Sequence, residues 1–151
     1  MKRTKKRMIL CCILLVALPA FIWGNSLQTG ADSSAMSGSI LQWINHFLHL
    51  SEAGADKLHY AIRKMAHFTE FACLGALLAW LFGMTGERKK HLFCMPLLFG
   101  LLAACVDETL QVFTLDRSPR LTDVWIDTAG VTAGILFLLI GHNYIRKHNK
   151  T

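Results

Sequence analysis

Charge is scarce in this sequence: 17% of its 151 residues are charged, against about a quarter in an average soluble domain. Hydrophobic residues make up 53% and the mean hydropathy is +0.38, which excludes an intrinsically disordered chain. There is no internal repeat and no low-complexity tract, and the catalytic signatures G-x-S-x-G, H-E-x-x-H and the P-loop are absent. Cysteine forms no framework either. Cys11, Cys12, Cys73, Cys94 and Cys105 lie in or beside apolar runs, so they read as small hydrophobes and a secreted disulfide scaffold is excluded.

What is present is apolar length. At 1.5 Å per residue a helix needs roughly 20 mainly apolar residues to cross a bilayer, and four stretches approach that, at about 8–27, 61–84, 91–113 and 123–140. The first carries no charge, follows the basic run Lys2, Arg3, Lys5, Lys6 and Arg7, and holds Phe21 and Trp23 near its far end, where aromatic rings suit the headgroup layer. A cleaved signal peptide shares the basic start and apolar centre, but this run is longer than usual and no clean Ala-x-Ala site follows it. Sequence leaves both open. The other three stretches hold ionisable residues at one end: His67 and Glu70, then Asp107 and Glu108, then Asp123 and Asp127. The expected fold is all-α, a single domain over 1–151 built as an integral-membrane four-helix bundle.

Basic residues stay on the cytoplasmic side of a membrane. Four spans put both termini on one side, which then collects Arg88, Lys89, Lys90, Arg146, Lys147 and Lys150 with the N-terminal run, against the single acid Glu87. The other side receives Lys57, Arg63, Lys64, Arg117 and Arg120 with the remaining acids. Both termini are therefore expected in the cytoplasm, the chain being a multi-pass protein of the cytoplasmic membrane. The net charge of +6 is accounted for by residues flanking the spans, where they meet anionic lipid. Membrane lipid is thus an expected partner and nucleic acid is not; the sequence does not fix an oligomeric state.

Residues 24–60 form the one long connection, expected outside the cell, with a Ser-, Gly- and Asn-rich stretch through Ser39. Ile40, Trp43, Ile44, Phe47 and Leu48 then recur at helical spacing, with Gln42, Asn45, His46 and His49 between them, the pattern of a short amphipathic helix. Its apolar face either lies on the outer leaflet or packs on the bundle.

In this topology the polar ends of the last three spans share one outer layer. Asp107 sits about 9 Å inside its end, with His67 and Asp127 at comparable depth. On the second span Lys64, His67 and Glu70 recur every third residue, with Phe71 and Leu74 continuing that side. On the third, Gln111 shares a face with Asp107 and Glu108; on the fourth, Asp123 and Asp127 lead into Gly130 and Gly134, small residues that permit close helix approach. An ionised side chain facing hydrocarbon costs at least about 2.5 kcal/mol. These groups should therefore converge, with Lys64, Arg63, Arg117 and Arg120 offsetting Glu70, Asp107, Glu108, Asp123 and Asp127 around a pocket that opens outward.

The series Lys64, His67, Phe68, Glu70, Phe71, then Asp107, Glu108, Gln111, Phe113, Arg117, then Asp123, Asp127, Gly130 resembles the VanZ-like family of bacterial membrane proteins. Asn25, Ser26, Ser34 and Ser37 extend the resemblance over most of the chain. Leu115 and Asp116 depart from it, where the family often has Pro-Gly. The resemblance implies a cell-envelope protein, the founding member being associated with resistance to the glycopeptide teicoplanin; it supplies no molecular activity.

Several roles stay open for the polar layer. It is an interhelical network without chemistry, or a catalytic site with His67, Glu70, Asp107 and Glu108 as acid and base candidates, or a binding site. In the last case Lys64, Arg117 and Arg120 meet phosphate or carboxylate, while His67, Glu70, Asp107, Glu108, Gln111, Asp123 and Asp127 hold those bases or contact sugar hydroxyls. His67 and Glu70 at i and i+3 are reminiscent of di-iron bundles, but the layer has one histidine and competing bases, so no metal and no cofactor is expected. Ser118 and Thr122 read as ordinary loop residues, and Trp80, Trp125 and Tyr144 as interface anchors. The expected function is recognition of a lipid-linked envelope molecule or glycopeptide at the outer leaflet, with a contribution to teicoplanin-type resistance. The competing reading is an enzyme acting on a lipid-linked envelope substrate.

Overall fold

The computed structural model consists of five helices: α1 (Lys2–Ser26), α2 (Gly30–Leu48), α3 (Glu52–Met84), α4 (His91–Gln111) and α5 (Leu121–His148). The structure describes the backbone of residues 2–49, 51–85, 91–115 and 117–148, and the side chains of these apart from 2–4, 30–34, 36, 37, 39, 48 and 142–148. Glu87, Arg88, Lys89, Lys90, Asp116 and Lys150 therefore lie outside the described residues, as do the side chains of Lys2, Arg3, Ser34, Ser37, Leu48, Tyr144, Arg146 and Lys147.

Four helical segments, Lys5–Ser26, Glu52–Met84, His91–Val112 and Leu121–Gly141, are long and apolar enough to cross a membrane. They contain the four apolar stretches almost entirely, but the second begins nine residues before the expected start at 61. Ser51 explains the difference: its backbone is extended (φ −64, ψ 160) and its Oγ accepts the Gly54 N–H at 3.4 Å, while Glu52 meets the positive end of the helix. Hydropathy misses this turn because Glu52, Asp56 and Lys57 dilute the apolar run without opposing helix formation. The 33 residues of α3 reach about 50 Å, well beyond a hydrocarbon core of about 30 Å.

A second difference concerns α2, which starts at Gly30, ten residues before the amphipathic pattern that begins at Ile40, and takes in the Ser- and Gly-containing stretch before it. Serine costs a helix only about half a kcal/mol relative to alanine, too little to stop a helix that has already nucleated. The apolar face of α2 is left uncovered by the bundle, with Ile40, Trp43 and Phe47 exposed and the Trp43 and Phe47 rings 5.3 Å apart. Of the two arrangements open from sequence, packing of this face on the bundle is not the one observed.

The most extensive helix pair is α3 with α5, and glycine makes it so. A Cβ on Gly134 would land on the Ala72 carbonyl and one on Gly130 on the Phe68 carbonyl, so α5 lies directly against the α3 backbone. From the other side, Gly75 meets the Val131 backbone and Gly100 of α4 receives the Val131 side chain. The apolar core is Phe71, Leu74, Leu78 and Ala79 of α3 with Ala104, Val131, Ile135 and Ile22 of α1. Outward, Ile9, Val16, Met65, Leu102, Phe137 and Ile140 are exposed, whereas Asp107, Glu108, Gln111, Asp123 and Asp127 are buried. That inversion of the water-soluble pattern suits a hydrocarbon solvent. Cys11 is buried and the other four cysteines are exposed, all of them free.

Candidate functional site

The C-terminal ends of α1 and α4 and the start of α5 meet beside the first half of α3. Asn25 Nδ2 donates to Glu70 Oε1 at 3.3 Å, Thr114 Oγ1 to the Ser26 carbonyl at 3.4 Å, and Trp23 Nε1 to the Ala103 carbonyl at 3.4 Å. The first apolar stretch is thus built into the bundle, and its removal would strip Glu70 of its partner. At this end lies a cavity of about 180 Å³. It is lined from α3 by Tyr60, Arg63, Lys64 and His67, from α4 by Glu108 and Gln111, and from the turn and α5 by Arg117, Ser118, Arg120, Asp123 and Asp127. Of the acids, bases, His67 and Gln111 expected in the polar layer, all line it except Glu70, which turns toward α1, and Asp107, which is fully buried behind it.

Several of these polar groups have particular partners. Lys64 Nζ forms an ion pair with Asp123 Oδ2 and lies 5.3 Å from the centre of the Tyr60 ring. Asp123 stands in the first turn of α5, where the helix dipole favours an anion. Glu108 accepts the Arg120 backbone N–H at 2.9 Å, so a carboxylate of α4 caps the entry to α5. Gln111 Nε2 donates to both acids of its own face, to Asp107 Oδ2 at 3.0 Å and Glu108 Oε1 at 3.3 Å. One amide thereby holds two buried carboxylates in fixed orientations.

Arg117 is held by α1. Its Nε donates to the Gln28 carbonyl and its Nη2 to the Asn25 carbonyl, each at 3.3 Å, satisfying carbonyls at the end of that helix. Burial draws the guanidinium below its ordinary value and the like charge of Arg63 adds to the effect. The Arg117 N–H donates to the Thr114 carbonyl at 3.4 Å. Among the described residues, neither Arg63 nor Arg120 has an ion pair or a side-chain hydrogen bond.

The VanZ/LLP1 family matches residues 8–142, nearly the whole chain. The chain belongs to that family. No curated protein matches it and no solved structure does, so the roles of individual residues in this VanZ-family protein are argued from its own geometry. Of the residues that carried the resemblance, Lys64, His67, Glu108, Gln111, Arg117, Asp123 and Asp127 line the cavity, and Phe68 and Gly130 meet in the close α3–α5 contact.

Sequence reasoning did not single out Tyr60, although it stands one helical turn before Lys64 on the same face. The placing of Asn25 and Gln28 as anchors for Arg117 had no local signal, because both contribute backbone carbonyls. Chemically, the arrangement offers unpaired guanidinium groups to an anion, a floor of acceptors to hydroxyl donors, and the imidazole of His67 3.9 Å from Asp107 Oδ2.

Proposed function

We propose that this VanZ-family membrane protein recognises the phosphate-bearing head group of a lipid-linked envelope molecule at the outer leaflet of the cytoplasmic membrane, with both termini in the cytoplasm. The observation that carries the reading is the pair Arg63 and Arg120, without anionic partners among the described residues, beside a half-buried Arg117 on one small cavity. Like charges facing a common space are relieved by an anion, and guanidinium groups match phosphate in two-point hydrogen bonding. A volume of about 180 Å³ lies below the range of roughly 300–1,000 Å³ of drug-sized ligand sites. That supports a head group over a whole glycopeptide, and makes any teicoplanin-type resistance a consequence of handling an envelope lipid. The exposed Trp43 and Phe47 of α2 suit contact with the same leaflet.

The test is binding of a short-chain polyprenyl phosphate, compared with the matching polyprenol and with inorganic phosphate, to the purified protein in nanodiscs. The polyprenyl phosphate should bind, the polyprenol should bind at least about tenfold more weakly, and Arg63→Ala with Arg120→Ala should remove that preference, a charge-assisted hydrogen bond being worth about 1.5–3 kcal/mol. Equal affinity for alcohol and phosphate in the unsubstituted protein would sink the reading. Inorganic phosphate binding as tightly as the lipid would assign the site to the free anion.

The orientation has its own check. A membrane-impermeant maleimide applied to intact cells should label a Ser118→Cys variant above the level of the parent and leave Thr85→Cys at that level. The reverse pattern would invert the topology.

A further inference from the structure

At the floor of the cavity and just behind it, the polar layer carries two acidic side chains that form no ion pair with the bases of the mouth. Asp107 of α4 is 0% exposed and Asp127 of α5 is 2% exposed. Among the described residues neither has a lysine or arginine partner: Lys64 is engaged by Asp123 and Arg117 by the carbonyls of Asn25 and Gln28. Beside them stands His67 of α3, and one ligand atom from each of the three residues falls within a common span of 4.8 Å. Among the described residues, buried side-chain atoms without a hydrogen-bond partner include three of this same group: His67 Nδ1, Asp107 Oδ1 and Asp127 Oδ2.

From this juxtaposition of an imidazole and two buried carboxylates on three different helices, we infer that His67, Asp107 and Asp127 bind one divalent transition-metal ion at the floor of the cavity. The other oxygen of Asp107 is already fixed by Gln111 at 3.0 Å, the type of outer-shell contact that orients a metal-binding carboxylate. Water alone would hydrogen-bond to the orphaned acceptors but would leave two carboxylates close together without a counter-charge, an arrangement that low-dielectric surroundings penalise heavily. Three ligands at about 2.1 Å from a tetrahedral ion lie about 3.4 Å from one another. The present spread, within 4.8 Å, closes with side-chain movements of about an ångström. A nitrogen with two oxygens and no thiolate selects an ion of the zinc, manganese or iron(II) type over calcium or magnesium. Three protein ligands leave coordination positions free toward the cavity, as in metal centres that also receive a substrate or water. In the sequence, one histidine against several bases argues for no metal, and helical spacing pairs His67 with Glu70. The fold turns Glu70 away to Asn25 and supplies Asp107 and Asp127 in its place. The inference concerns the floor of the cavity and does not depend on what its mouth recognises.

The experiment uses the full chain purified in detergent, stripped with a chelator, and titrated separately with Mn²⁺, Zn²⁺, Mg²⁺ and Ca²⁺. Mn²⁺ or Zn²⁺ should be retained at one ion per chain after gel filtration and should raise the thermal midpoint by about 5 °C or more, with Mg²⁺ and Ca²⁺ doing neither. Asp127→Asn and His67→Gln should each weaken retention at least about a hundredfold, whereas Glu70→Gln should bind like the parent. Bound Mn²⁺ should show magnetic coupling to an imidazole nitrogen that His67→Gln abolishes, a readout available from the parent protein even if Asp127→Asn fails to fold. A folded, monodisperse parent that retains no metal and shows no shift in midpoint would overturn the site and assign neutralisation of the pair to protons. Retention unchanged in His67→Gln would overturn the ligand set.

Discussion

Gly134→Leu is expected to prevent assembly of the bundle, with the protein aggregating on extraction or losing its cooperative thermal transition. Even a methyl group at this position meets the Ala72 carbonyl, a backbone atom that no rotamer change can move. Overpacking a well-filled core with flexible neighbours costs about 1–3 kcal/mol, and here the obstacle is the α3 main chain, so the cost should exceed that range. Gly130→Leu should behave similarly through the Phe68 carbonyl. The control is Gly83→Leu, because a Cβ at Gly83 has nothing within 4 Å; it should leave the thermal midpoint within a few degrees of the parent. A Gly134→Leu protein as stable as Gly83→Leu would show that α3 and α5 do not meet as described. The cavity would then lose its frame, since α3 and α5 supply most of its lining.

The second large effect is expected at the Lys64–Asp123 pair. Removing one member of a fully buried ion pair typically costs 3–5 kcal/mol because the other charge is stranded. These side chains are 21% and 12% exposed, so partial solvation reduces the expected loss for Lys64→Met to about 2 kcal/mol. Stranding should be worse here than at an ordinary surface, since Glu108 and Asp127 border the same cavity and Lys64 is the ammonium group among them. Asp123→Asn in the Lys64→Met background should recover at least about half of the loss. The measurement is a double-mutant cycle on reversible unfolding in bicelles. Strictly additive effects of the two substitutions would mean that Lys64 and Asp123 are not coupled.

The two predictions rest on features that differ in how far they can be read in advance. The glycine stripe at Gly130 and Gly134 is visible as two small residues one turn apart below Asp123 and Asp127, and helical periodicity alone marks it as a protein-facing strip. The pairing of Lys64 with Asp123 is not visible in that way. Lys64, Arg63, Arg117 and Arg120 were all available to the same five acids, and spacing along one helix says nothing about which residue of another helix stands opposite.

What the sequence determined by itself was the helical architecture, the four apolar spans, the family membership later matched over residues 8–142, and the polar layer at one end. All of these are encoded locally, in apolar length, in three- and four-residue spacing, and in where charge interrupts a hydrophobic run. Even there, the starts of α2 and α3 were displaced, because serine caps and weakly polar turns form helix without any apolar signal. The tertiary structure alone decided that Arg117 grips the carbonyls of Asn25 and Gln28, that Glu70 leaves the cluster for α1, and that His67, Asp107 and Asp127 come together instead. These choices follow from the rotation of each helix about its axis and its axial offset against its neighbours. Close contact at glycine and the whole set of core side chains fix those two quantities jointly, and no single segment of the chain contains them.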